Sequence, residues 1–226
     1  FKKPYLISPR GSLMREPLIM KSALLKKLYL ALIECRNLAD AAAVHFTSER
    51  EREEYAGAGF PLKKTVVVPN GLDIESWPAA VHGDFRAKWK IPPDHPIVLA
   101  MGRIGWKKGF DTLIPAFACV LKKQPNALLV ISGADDEGYR AVVEGMVRKH
   151  KLEKSTLFTG EFQGVDAVAL ADADVFALPS YSENFGMAIV QAMYAGVPVV
   201  ITPQVALSRE VVRAGAGLVV EKTDAA

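Results

Sequence analysis

The residues best suited to chemistry lie in two short stretches, each directly after an apolar run and before an amphipathic one. The first is Gly102-Arg103-Ile104-Gly105-Trp106-Lys107-Lys108-Gly109. Arg103 offers a planar fork that can bond two phosphate oxygens at once, and Lys108 adds a compact point charge. Gly102 and Gly109 leave room for close backbone approach. Together they suit a diphosphate, although a basic loop of this kind also occurs as a plain solvated turn. The second stretch is Pro179-Ser180-Tyr181-Ser182-Glu183-Asn184-Phe185-Gly186-Met187, which opens a helix that goes on to carry Gln191. Helix-start N–H groups attract an anion, and Gly186 has no side chain to obstruct one. Glu183 and Gln191 are spaced so that one could meet a sugar and the other a ribose. Glu183 also fits the simpler role of an acid that complements a helix dipole.

The elements that must position these loops follow from periodicity. From Ile97 onward, short apolar β-branched runs alternate with amphipathic stretches. Ile97–Met101, Ala127–Ser132, Thr156–Thr159, Val175–Leu178, Val197–Ile201 and Gly217–Val220 read as strands. Phe110–Lys122, Gly138–His150, Val165–Ala171, Gly186–Ala195 and Ser208–Val212 read as helices. Such alternation predicts right-handed βαβ units and a doubly wound, Rossmann-like parallel sheet covered by helices. Ligands of such sheets bind outside the carboxyl ends of the strands, where both chemical stretches fall.

The first ~80 residues read differently. Ser22–Leu38 is a long helix, and Ala42–Phe46 and Thr65–Val68 are strands. Ser48, with Glu51 three residues on, has the pattern of a capping box opening a helix to Ala56. A turn signal at Pro69-Asn70-Gly71-Leu72-Asp73 and a run of prolines from Pro78 to Pro96 place the domain boundary near 70–78. The expected domains are therefore 1–78 and 79–226.

The composition is that of a core-forming domain: 226 residues, half of them hydrophobic and 23% charged. A net charge of +3 gives no reason to expect a nucleic-acid partner. No apolar run reaches the ~20 residues that span a bilayer, and the start has no signal-peptide pattern. The two cysteines, Cys35 and Cys119, read as buried free thiols in a reducing compartment. The expected location is cytoplasmic, with the inner face of a membrane as the alternative. Both chain ends read as cuts through a longer protein.

Several ordered motifs carry a resemblance. Gly102-Arg103 with Lys108-Gly109 is followed by Ser132-Gly133 and Phe158-Thr159-Gly160. Pro179-Ser180 with Glu183-x-Phe185-Gly186 comes next, then Ala195-Gly196-Val197-Pro198-Val199. In that order they resemble retaining family 4 glycosyltransferases of GT-B fold, most of all enzymes that build bacterial exopolysaccharides. Upstream, Ser8-Pro9-Arg10-Gly11, Phe46-Thr47-Ser48-Glu49 and Pro69-Asn70-Gly71-Leu72-Asp73 resemble the end of that family's first domain. The resemblance implies that 79–226 is the donor domain, truncated at its C-terminus, and that 1–78 is the tail of the acceptor domain. It implies transfer of a hexose, with retention, from a nucleoside-diphosphate sugar to a saccharide or lipid-linked saccharide. No cofactor and no metal are expected, and a peripheral membrane contact would come from the missing domain. The fragment is expected to bind donor yet transfer little alone.

By the same resemblance Arg103 and Lys108 hold the diphosphate, and Glu183 contacts the donor sugar. Backbone N–H groups near Phe185 and Gly186 approach sugar or phosphate, Gln191 faces the ribose, and Gly160-Glu161-Phe162 lies near the base. Gly102, Gly133, Asn184 and Met187 complete the implied donor site. One departure stands out: the family pattern is Glu, seven residues, Glu, and this chain has Gln191 in the second place. An amide offers one acceptor oxygen where a carboxylate offers two. That leaves open a noncatalytic nucleotide-sugar-binding module, and a GT-B nucleotide-sugar epimerase is a further alternative. Asp172-Ala173-Asp174 has the form of a metal-binding DxD, but it precedes a buried strand and is read as structural.

Overall fold

The computed structural model describes residues 3–14, 18, 23–61, 64–161 and 166–221. Two compact units divide the chain: 1–71 together with 182–185, and 72–181 together with 186–226.

The first unit holds a parallel three-stranded sheet in the order β1 (Leu6–Ile7), β2 (Ala43–Phe46), β3 (Thr65–Val67). Helix α1 (Ala23–Tyr29) runs through a π-helical turn at Leu30–Glu34 into α2 (Cys35–Asp40). Helix α3 (Glu49–Gly57) starts on Ser48, whose hydroxyl accepts from the Glu51 N–H at 3.1 Å. The reciprocal half of the expected capping box does not form, because the Glu51 carboxylate turns instead to Thr47 and Gly11. Leu38, Val44, Phe46, Tyr55 and Phe60 make the core. Tyr55 lies between two rings, 5.0 Å from Phe46 and 5.2 Å from Phe60.

The second unit is a doubly wound parallel sheet. Its strands are β4 (Ile97–Met101), β5 (Leu128–Ser132), β6 (Thr156–Gly160), β7 (Val175–Leu178), β8 (Val199–Ile201) and β9 (Gly217–Val219). Their spatial order is β6-β5-β4-β7-β8-β9, so the winding reverses between β4 and β7. Helices α4 (Asp84–Trp89), α5 (Phe110–Leu121), α6 (Tyr139–Lys149), α7 (Asp166–Asp172), α8 (Met187–Tyr194) and α9 (Ser208–Ala214) cover it. Both faces of β4 are buried, which is why it reads as a continuous apolar run. Leu99 and Met101 pack with Leu170 of α7, Ile189 of α8 and Val211 of α9. Ala100 packs on the opposite side with Ile114 of α5 and Val143 of α6.

The contact boundary falls after Gly71, inside the stretch 70–78 where it was expected. Trp77 lies in the second unit, its ring edge-on to Tyr194 with centroids 5.2 Å apart. Cys119 is exposed rather than buried, since it sits on the side of α5 away from Ile114 and Phe117. Helix α4 was not foreseen. Asp172 holds its start by accepting from the N–H groups of Gly83 at 2.6 Å and Arg86 at 2.9 Å. Asp174 takes the N–H of Ile97 at 2.7 Å and the Arg86 guanidinium at 3.2 Å. The DxD-like pair is thus engaged in holding α4 and β4. Among the described residues no three His, Cys, Asp or Glu side chains gather as metal ligands would, and no helix is long and apolar enough to cross a membrane.

Candidate functional site

The winding reverses between β4 and β7, and the carboxyl ends of strands at such a reversal are the place where sheets of this kind bind ligands. The loop after β4 supplies its basic residues. Gly102, at φ +130°, lets Lys108 fold back over the backbone; a Cβ there would lie 3.4 Å from the Lys108 Nζ. A 3₁₀ turn at Trp106–Lys108 ends on Gly109, which begins α5.

Neighbouring loops clamp this one. The Tyr181 N–H donates to the Lys107 carbonyl at 2.8 Å, joining the loops after β4 and β7. On the other side the Gly102 N–H donates to Ser132 O at 2.9 Å and the Ile104 N–H to Ala134 O at 2.7 Å. Gly133, at φ +149°, approaches so closely that a Cβ would stand 1.9 Å from the Gly102 carbonyl oxygen. The Gly133 N–H in turn donates to Gly160 O at 2.9 Å. Gly102, Gly133 and Gly160 therefore knit three adjacent loops. Sequence reasoning assigned Gly133 and Gly160 to ligand contact without seeing this packing reason.

Arg103 is largely solvated, with 78% of its side chain exposed, and its guanidinium stands 4.0 Å from the Asp136 carboxylate. A pair so exposed contributes about 0–1 kcal/mol, so an incoming anion meets little competition for Arg103. Asp136 is held there by its own N–H, which donates to Ile104 O at 3.1 Å. Tyr181 donates its hydroxyl to the Asp111 carboxylate in the first turn of α5, and that bond pushes its phenol above the ordinary range. Its ring lies 6.1 Å from Trp106. In sequence Asp135-Asp136-Glu137 reads as a polar loop and helix start, with cation binding the lesser alternative, and Asp111 carries no signal; each aspartate faces its partner only after the βα units pack.

The second stretch divides. Pro179 to Tyr181 and Gly186, Met187 and Gln191 belong to the second unit, whereas Glu183, Asn184 and Phe185 belong to the first. Gly186, at φ +88°, is the N-cap of α8, and the N–H groups of Ile189 and Val190 already bond to its carbonyl. The earlier amides of that turn precede the helical ladder. Phe185 is a buried core ring, which leaves only its backbone for a ligand. Gln191 lines a cavity of about 230 Å³, together with Leu72, Asp73, Ser76, Trp77, Pro78 and Ala167. The linker residues of that wall carried no chemical signal in sequence. Glu161 is exposed beyond β6. Phe162, assigned to the same loop, lies outside the described residues.

The comparisons with known proteins accord with this architecture. Residues 82–226 match the family of glycosyl transferases group 1, and residues 1–71 match a glycosyl transferase 4-like domain. The chain belongs to the glycosyl transferases group 1, and its fold is that of GT-B glycosyltransferases. A D-inositol 3-phosphate glycosyltransferase of Kineococcus radiotolerans is 32% identical over 191 residues, 79% of this chain and 43% of that protein. An uncharacterized glycosyltransferase of Methanocaldococcus jannaschii, MJ1607, is 33% identical over 149 residues, 63% of this chain and 37% of that one. The chain thus spans less than half the length of these curated relatives. Sucrose-phosphate synthase from Thermosynechococcus elongatus superposes with a TM-score of 0.82 at 27% identity, over 99% of this chain and 56% of that one.

Proposed function

We propose that this chain binds the donor of a retaining glycosyltransferase, which moves a hexose from a nucleoside-diphosphate sugar to a saccharide or lipid-linked saccharide hydroxyl. The observation that carries the reading is the reversal of winding between β4 and β7. There a basic loop, clamped by glycine packing on one side and Tyr181 on the other, occupies the place where such sheets bind ligands.

In this reading Arg103 and Lys108 receive the diphosphate. As the bond from the anomeric carbon to the phosphate oxygen breaks, its electron pair passes to the diphosphate, and fixed cations lower the cost of that growing charge. The acceptor oxygen bonds to the anomeric carbon on the face the phosphate leaves, and its proton passes to the departing phosphate oxygen. Glu183 contacts the sugar, and the start of α8 at Gly186 and Met187 faces sugar or phosphate. Gln191 meets the ribose in its cavity, and Gly160-Glu161 lies near the base. No cofactor or metal enters this scheme.

A second reading, a binding module without transfer, is favoured by Gln191 standing where the family pattern has a carboxylate. A thermal-shift screen against nucleoside diphosphates and their sugars tests the shared core of both, since a ligand of the native state raises the melting temperature. Stabilisation by at least one nucleoside diphosphate is expected, and none by any of them would refute both. Donor hydrolysis by the protein would then exclude the module.

A further inference from the structure

The buried carboxylate of Glu51 and the motif around Thr47 take no part in the scheme above, yet both converge on the segment that carries Glu183. Thr47, Glu51, Gly11 and Ser182–Phe185 all belong to the first unit. Glu51 is 1% exposed and accepts three hydrogen bonds: from the Gly11 N–H at 2.5 Å, the Thr47 N–H at 2.8 Å and the Thr47 hydroxyl at 2.9 Å. With its proton directed to Glu51, the Thr47 hydroxyl has only lone pairs to offer, and it accepts from Asn184 Nδ2 at 3.2 Å. The chain of bonds therefore has one direction, amide to hydroxyl to carboxylate, and it fixes which way the Asn184 side chain faces. Gly11 holds the other side: at φ +86°, a Cβ on it would stand 2.9 Å from the Asn184 Cβ. The residue adjoining Glu183 is thus gripped by a hydrogen bond and by close packing at once.

We infer that Thr47 and Glu51 are positioning residues for Glu183, acting through Asn184; the inference rests on the reading of Glu183 as a contact to the donor sugar. A network that only stabilises the first unit would leave sugar recognition alone. One that aims Glu183 must change how much the sugar adds to binding.

The test compares the affinity of this chain for UDP and UDP-glucose, GDP and GDP-mannose, and ADP and ADP-glucose, keeping the pair that binds. Its readout is the ratio of the two dissociation constants within that pair. Thr47→Val, which deletes the hydroxyl and keeps the shape, is expected to lower the sugar's advantage about fivefold while leaving nucleoside-diphosphate affinity unchanged. Thr47→Ser should restore it, and Thr47→Val should add nothing in a Glu183→Ala background. Thr47→Ala serves if the valine variant does not fold. If Glu183→Ala lowers the ratio and neither hydroxyl deletion does, the positioning role is wrong and the sugar contact stands. If Glu183→Ala leaves the ratio unchanged, or no pair binds, the donor-site reading falls and the inference with it.

Discussion

Gly109 stands so close to Pro179 that a Cβ on it would lie 2.0 Å from the Pro179 carbonyl oxygen. That contact joins the loops after β4 and β7, and it makes the glycine a packing requirement as well as a left-handed cap for the 3₁₀ turn at φ +72°. Gly109→Ala is expected to cost roughly 3 kcal/mol, from backbone strain and overpacking together. Gly160→Ala carries the strain of φ +75° with nothing within 4 Å of its Cβ, and should cost about 1 kcal/mol. Urea denaturation of both variants checks the difference; equal losses would mean that the loops are not locked as described.

Asp172 separates a structural role from metal binding. Its carboxylate is buried and caps α4 through the Gly83 and Arg86 N–H groups. Asp172→Ala should destabilise the protein by about 2–3 kcal/mol and leave the affinity of the remaining folded protein for a nucleoside diphosphate unchanged. Calorimetric titration below the melting range checks this. Lost affinity without lost stability would contradict the structural role.

Gln191→Glu restores a second acceptor oxygen at the wall of the cavity beside Trp77. It should tighten binding of a ribonucleoside diphosphate about fivefold and have little effect on the 2′-deoxy analogue. Unchanged affinity for the ribonucleotide would remove Gln191 from the ribose.

Tyr55 gives the first unit a dependence on alkaline pH. Burial pushes its phenol from its ordinary value of 10.0 up to about 12, and its hydroxyl donates to Pro61 O at 2.9 Å. The folded state thus keeps a proton that the unfolded chain gives up near pH 10. The stabilisation is complete below that pH and is lost as pH rises toward about 12. Tyr55→Phe should cost about 1 kcal/mol at neutral pH and fall less steeply than the parent between pH 10 and 12. Denaturation midpoints at matched pH values measure this, and parallel curves would contradict it.

Much of the second unit was legible because its central strands are buried on both faces. Ile97–Met101 shows this as an unbroken apolar run, and the loop after it, with Arg103 and Lys108, was found at a strand end as expected. Helix α4 escaped because it is short, lies among prolines, and depends on Asp172 and the burial of Phe85 rather than on periodicity. Glu51 looked like half of a capping box because local spacing cannot show a contact to Gly11, forty residues upstream. The stretch from Pro179 to Met187 looked like one motif, and only folding shows Asn184 bonded to Thr47.

The central claim is that the loop after β4 holds a diphosphate. Titration calorimetry of Arg103→Ala and Lys108→Ala against the nucleoside diphosphate that stabilises the parent, with the matching monophosphate as control, tests it most directly. Each variant should bind the diphosphate about ten- to a hundredfold more weakly and the monophosphate with a much smaller loss. Parental affinity for the diphosphate in both variants would contradict the account.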